Sequence, residues 1–289
     1  MRPRRSPSAW ARLRRDRVTL AALGVLALIA LVSAAAPVLA DGMLHSDPDR
    51  FVRTDSGRIA ALQPPGPAYL LGTDDLGRDV LTRLIFAGRV SLLVGFNVAL
   101  VAVALGAPLG LLAAYHGGWV DDLVNAGVQV VLNVPLLFVL IALSIFLSPN
   151  TWQLAIIIGF FFWPNSARQV RGMALSVRRR DYVEAARVLG ASDQRVLLHH
   201  VVPNVVSVIL VVAGVDMASA ILAESSLSFL GFGVPVPISS WGNMLGLSQD
   251  LFRSAPWLVY PPGVMIFATV LSVFLASDGL RDALDPRTM

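Results

Sequence analysis

Residues 181–204 read DYVEAARVLGASDQRVLLHHVVPN, with Glu184, Arg187, Asp193 and Arg195 set into a chain that is otherwise mostly fit for lipid. The spacing describes two short helices and a turn. Tyr182, Ala185, Ala186 and Leu189 recur at i, i+3, i+4 and i+7, an apolar face from which Glu184 and Arg187 point away. Gly190 stands where a helix can end in a left-handed residue, a conformation that costs glycine nothing and that a residue with a Cβ resists by roughly 1 kcal/mol. Ser192 or Asp193 can cap the second helix, and Pro203 closes the unit before a new apolar run. Asp181 and Glu184, three positions apart, can form a reciprocal cap at the front of the first helix; a partner-facing role for Glu184 stays open beside it. The unit is a small knob.

Working outward, the chain has 289 residues, of which 55% are hydrophobic and 15% charged, and its mean hydropathy is positive. Such a composition excludes an ordinary soluble domain and describes a membrane protein. Cysteine is absent, which removes disulfide and thiolate chemistry. All 23 basic residues are arginine. They cluster beside apolar spans, where they hold a cytoplasmic face and do not mark a nucleic-acid surface.

Residues 1–17 carry seven arginines, and residues 18–40 then run without a charge, long enough to cross a hydrocarbon core of about 30 Å at about 1.5 Å per residue. The competing reading is a signal peptide, because Val38 and Ala40 before Asp41 weakly resemble a cleavage site. Residues 41–89 form a polar extracytoplasmic segment with a Gln63, Pro64, Pro65, Gly66, Pro67 turn cluster. The remaining core of residues 90–289 opens with a span at 90–115. Residues 123–167 hold no acid or base across roughly 67 Å, too far for one crossing. The turn residues Ser148, Pro149 and Asn150 divide them into spans at 123–147 and 152–170. The loop 171–203 follows, then spans at 204–228 and 257–280. With the N-terminus inside, six crossings leave both termini cytoplasmic, with sixteen arginines on that side against seven outside. The fold class is therefore an all-α membrane protein of six transmembrane helices, with the 181–204 knob in the cytoplasm.

Polar residues inside such spans are expensive. Asn125, Gln129 and Asn133 recur at i+4 along the third span, a stripe for helix packing or for lining a solute route. Asp216 lies mid-span at a cost of about 2.5–3.5 kcal/mol, so it should face the interior, with Ala220 and Glu224 continuing its row. It can pair with the third-span stripe, line a hydrated cavity or meet a substrate amine. His199 and His200 sit at the membrane edge as hydrogen-bonding residues, and no metal-ligand pattern is present.

These motifs resemble the membrane subunits of binding-protein-dependent ABC importers, whose signature is E-A-A, three residues, G, nine residues, then an apolar residue, any residue, L and P. Here that pattern falls on Glu184, Ala185, Ala186, Gly190, His200, Val201, Val202 and Pro203, with His200 and Val202 as departures. Residues 71–81, LGTDDLGRDVL, are similar to the L-G-T-D-x-x-G-R-D-V-L segment of the dipeptide and oligopeptide branch. So are residues 223–231 with Ser240, Trp241 and Gly242, and the closing residues 278–286. The resemblance implies a type I importer permease fold and the C-type member of a heterodimeric pair. It implies that Glu184, Ala185, Ala186, Gly190, Ala191, Asp193 and Pro203 form the coupling loop. It also implies a second permease subunit, two ATPase subunits carrying ATP and Mg, an extracytoplasmic substrate-binding protein, and a bacterial or archaeal plasma membrane. Asp74, Arg78, Asp79 and Trp241 either help receive the binding protein or cap helices and pair locally.

The chain has no nucleotide site to draw on. The phosphate-binding loop G-x-x-x-x-G-K-S/T needs a lysine, and none is present; no H-E-x-x-H pattern points to a membrane enzyme. The resulting expectation is ATP-driven import of di- or oligopeptides with no cofactor on this chain. The alternatives are a proton-coupled carrier relaying through Asp216 and Glu224, a permease for chelated nickel or glutathione, and a scaffold without transport activity.

Overall fold

The computed structural model describes residues 12–44, 46–53 and 57–284. The first eleven residues of the arginine-rich tail and the closing Asp285 and Pro286 lie outside the described residues. Among the described residues the chain is helical, apart from two isolated β-bridges, Arg53 with Ile59 and Thr73 with Asp79.

Helix α1 (Arg17–Ala34) begins on Asp16, whose side chain accepts from the Val18 and Thr19 backbone N–H groups and from the Thr19 hydroxyl. The Thr19 side-chain bond, with the backbone bonds added, holds the Asp16 carboxyl below its ordinary pKa. Helix α2 (Val80–His116) starts ten residues before the span drawn from residue 90, because Asp79 caps it by accepting from Thr82 N at 2.8 Å. Helices α3 (Gly118–Asn133) and α4 (Leu136–Leu147) replace the single straight span drawn over 123–147. They meet at 77°. The cause is Pro135, which has no N–H to donate and pushes Val134 into an extended conformation (φ −89, ψ 123).

The break drawn at residues 148–150 coincides with a well-formed helix start. Asn150 and Gln153 make a reciprocal cap for α5 (Thr151–Arg178). The knob opens with α6 (Asp181–Val188), and α7 (Val202–Phe229), the short α8 (Trp241–Gly246) and α9 (Tyr260–Leu284) follow. By length and composition α1, α2, the run Asp193–Phe229 and the run Pro256–Leu284 can each cross a membrane, and α3 with α4 add a fifth crossing if counted as one. Helix α5 falls short of that standard; Trp163, Pro164, Asn165, Ser166, Arg168 and Gln169 dilute its apolar half.

The bundle is built around the seam between α2 and α5. A Cβ placed on Gly106 would overlap the Trp163 carbonyl and Ser166, and one on Gly110 would overlap the Ala167 carbonyl. Two glycines one turn apart thus let the backbones touch, and in lipid that close packing supplies what the hydrophobic effect cannot. On one side of the seam Val94, Val98, Leu154, Ile158, Ala220 and Leu227 join α2 and α5 to α7. Below it Ala107, Ala114, Val170 and Val177 continue into the knob through Val183, Val196 and Val201. Gly110→Leu should therefore cost about 1–3 kcal/mol or more through overpacking and lower the thermal midpoint in detergent by several degrees. Gly172→Ala, whose added methyl meets nothing within 4 Å, should hold or raise it.

Candidate functional site

The 181–204 unit folds as a helical hairpin with a defined end. Gly190 has φ +85. Its N–H donates to Arg187 O at 2.9 Å and that of Ala191 to Ala186 O at 3.0 Å, the paired bonds of a Schellman stop. Ser192 caps the next turn, Asp193–Val196, by accepting from Arg195 N, and a π-helical turn, Leu197–Val201, leads into α7. The reciprocal cap expected of Asp181 and Glu184 does not form. The capping residue is Arg180, without a side-chain bond, and Asp181 already lies inside the helix.

The apolar face drawn through Tyr182, Ala185, Ala186 and Leu189 is not the buried one. Val183 is the residue of α6 that packs into the bundle, with Val196 and Val201 beside it. Tyr182, Ala185 and Leu189 are exposed and Ala186 is half-buried. Tyr182 instead presents its ring edge to His200 and accepts from Asn204 Nδ2. Val188 and Leu189 stand 84% and 87% exposed at the tip, in a stretch that also carries the exposed Glu184, Arg187, Asp193 and Arg195. The Arg187–Asp193 contact at 4.0 Å is an exposed pair of little energetic weight.

Two arginines brace the stem. Arg178 donates to the Ala114 and Tyr115 carbonyls at the end of α2, where a helix offers free acceptors and partial negative charge. Arg171 grips Asp121 with two bonds, Nε to Oδ1 at 2.5 Å and Nη2 to Oδ2 at 2.6 Å. Sequence spacing gave no sign of this pair, whose members are fifty positions apart.

The intramembrane polar residues divide into two groups. Asp216 is 2% exposed and accepts from Ser166 Oγ on α5 at 2.7 Å; it does not meet the stripe on α3. Glu224 is fully buried, accepting from Ser228 Oγ at 2.7 Å while its Oε2 has no hydrogen-bond partner. Asn125, Gln129 and Asn133 lie on a helix that buries only Val128. Asn125 donates to Asp121 and Asn133 to the Gln129 carbonyl, with Gln129 and Asn133 exposed. Asp216 and Glu224 thus sit inside the subunit, while the α3 stripe faces away from it.

Residues 106–289 match the model of the binding-protein-dependent transport system inner membrane component family, and residues 7–65 match the N-terminal TM domain of oligopeptide transport permease C. The chain belongs to this family. It is similar to the dipeptide transport system permease protein DppC of Alkalihalophilus pseudofirmus, at 34% identity over 96% of this chain and 89% of that protein. It is also similar to the oligopeptide transport system permease protein OppC of Mycobacterium bovis, at 36% identity over 95% and 92%. A chain of the MetNI methionine ABC transporter in an inward-facing conformation superimposes with a TM-score of 0.58 at 16% identity, covering 71% of this chain and 97% of that one. That likeness gives the type I ABC importer permease fold.

In this permease the residues marked for the extracytoplasmic face are mostly tied inward. Asp74 accepts from Arg78 Nε at 2.7 Å and from the Leu76 and Arg78 N–H groups, Asp79 caps α2, and all three side chains are buried. Arg83, which the sequence reading passed over, joins them, with Nε 3.7 Å from Asp74 and a further bond to the Pro48 carbonyl. Trp241 is a core anchor, fully buried, donating its indole N–H to Leu84 O and its backbone N–H to Ser91 Oγ. Among the described residues no group of three or more His, Asp or Glu side chains is placed to hold a metal ion.

The stop at Gly190 depends on backbone conformation alone, since a Cβ there would meet no neighbour. Gly190→Ala should cost about 1 kcal/mol, read as roughly a fivefold faster hydrogen exchange at Ala191. Gly190→Asn, better suited to the left-handed region, should lose less.

Proposed function

We propose that this chain is the C-type permease of a heterodimeric importer for di- or oligopeptides, forming half of the translocation pathway and drawing its energy from separate ATPase subunits through residues 181–204. The observation that carries the proposal is the bare apolar tip of the hairpin. Val188 and Leu189 project from a stub whose opposite side, Val183 with Val196 and Val201, is packed into the bundle. Their charged surroundings do not suit lipid, but an apolar pair with a polar rim suits a groove on another protein. The peptide class is supported by relatives whose names specify dipeptide and oligopeptide transport and which match nearly the whole chain.

In this reading the N-terminus and the hairpin lie in the cytoplasm and the chain crosses the plasma membrane six times, with α3–α4 as one broken crossing and α5 as the next. ATP and Mg bind on the ATPase pair. Closure of that pair carries the hairpins inward, the attached helices tilt, and a binding protein outside delivers its peptide to the opened pathway. A proton relay through Asp216 and Glu224 is less well served, because each is enclosed beside a serine within the subunit.

Three variants test the coupling. Gly190→Pro and Glu184→Arg should insert normally yet lose ATP-driven peptide uptake in proteoliposomes. Leu189→Glu should weaken retention of the ATPase in pull-down by more than tenfold, since a buried leucine contributes about 1.5–3 kcal/mol. Normal uptake by both of the first two would sink the assignment. Because the chain has no cysteine, Gln194→Cys reports topology directly: it should be shielded from an impermeant reagent added outside intact cells.

A further inference from the structure

We propose that the Asp121–Arg171 ion pair is the strut by which movement of the hairpin reaches the bent helix pair α3–α4, which makes Asp121 and Arg171 positioning residues for transport. The inference rests on the reading of the hairpin as the ATPase contact.

Three observations carry it. The first is how lightly α3 and α4 are held. Among the described residues α3 buries only Val128 and α4 only Leu140. The apolar contact of α3 is confined to Val128 with Trp163 and Ala167 and a few half-buried neighbours. Asp121 ties α3 to α5 by its side chain, through Arg171. The second is the joint. Helix α2 passes into α3 through Gly117 and Gly118, both at positive φ and both in open space, a joint where no side chain stands in the way of a backbone turn.

The third is the geometry of the pair itself. Two nearly parallel N–H···O bonds between a guanidinium and a carboxylate fix direction as well as distance. Asn125 Nδ2 adds a bond to Asp121 Oδ1 at 3.0 Å, which sets the carboxylate on its own helix. Arg171 lies seven residues before Arg178, two helical turns away on the same face of α5. One face of α5 therefore holds the end of α2 through Arg178 and the start of α3 through Arg171, only a few residues before the hairpin begins. Rotation of that end of α5 displaces Asp121, and with it α3, which bears on α4 across the bend; α4 itself is seated on α2, α5 and α7 through Leu140.

The cysteine-free chain makes the test direct. In the complete transporter reconstituted into liposomes, an environment-sensitive fluorophore is placed on the hairpin at Gln194→Cys or on α4 at Phe138→Cys, which is exposed, and ATP, Mg and orthovanadate are added. With both charges present the two labels should both shift. With Asp121→Asn or Arg171→Gln the hairpin label should shift as before while the α4 response falls at least threefold, and the exchange Asp121→Arg with Arg171→Asp should recover at least half of it. An undiminished α4 response in the single variants overturns the strut, and so does failure of the exchanged pair to recover it. A hairpin label that does not respond even with both charges present would refute the coupling reading itself, which separates the two failures.

Discussion

The close approach of α2 and α5 is the constraint on which the remaining geometry depends. Within lipid, apolar side chains gain little by moving from hydrocarbon to one another, so two helices hold together through surface fit. Gly106 and Gly110 provide that fit by removing every side-chain atom where the Trp163 and Ala167 carbonyls come closest. Once these backbones are in register, Ala114 and Tyr115 lie within reach of Arg178, and the valines of the hairpin find their place below the seam.

The hairpin is consequently part of the rigid body. Its inner face is continuous with the core through Val183, Val196 and Val201, and its turn is closed by two backbone bonds at Gly190. Only its tip is uncovered. The start of α2, at the other end of that helix, is fixed by different means: buried ionic contacts among Asp74, Arg78 and Arg83 and the Trp241 anchor. That end is held by several buried contacts, whereas α3 and α4 bury one residue each, Val128 and Leu140.

Hydrophobic periodicity is a poor guide to orientation in such a chain. In a soluble helix the apolar stripe marks the buried face, because water occupies the other side. On α6 the packed side is set by Val183 with Val196 and Val201, and the stripe through Tyr182, Ala185 and Leu189 is the outward one. The same weakness hid the break in α3–α4. Residues 123–147 carry no acid or base, and the break they hold falls at Pro135, which the sequence reading passed over.

What the sequence determined alone was local or compositional: a helical membrane chain, a polar hairpin at 181–204, its stop at Gly190, the break at residues 148–150, and the motifs that place it among these permeases. Each depends on residues within a few positions of one another, or on the sum of many. The tertiary structure decided which face of α6 is buried, that Asp216 meets Ser166, that Trp241 is an interior anchor, and that Arg171 holds Asp121. Those contacts join residues fifty or more positions apart, or depend on what occupies the space beside a helix. No spacing rule reaches that far, because the partner is chosen only when the backbones have packed.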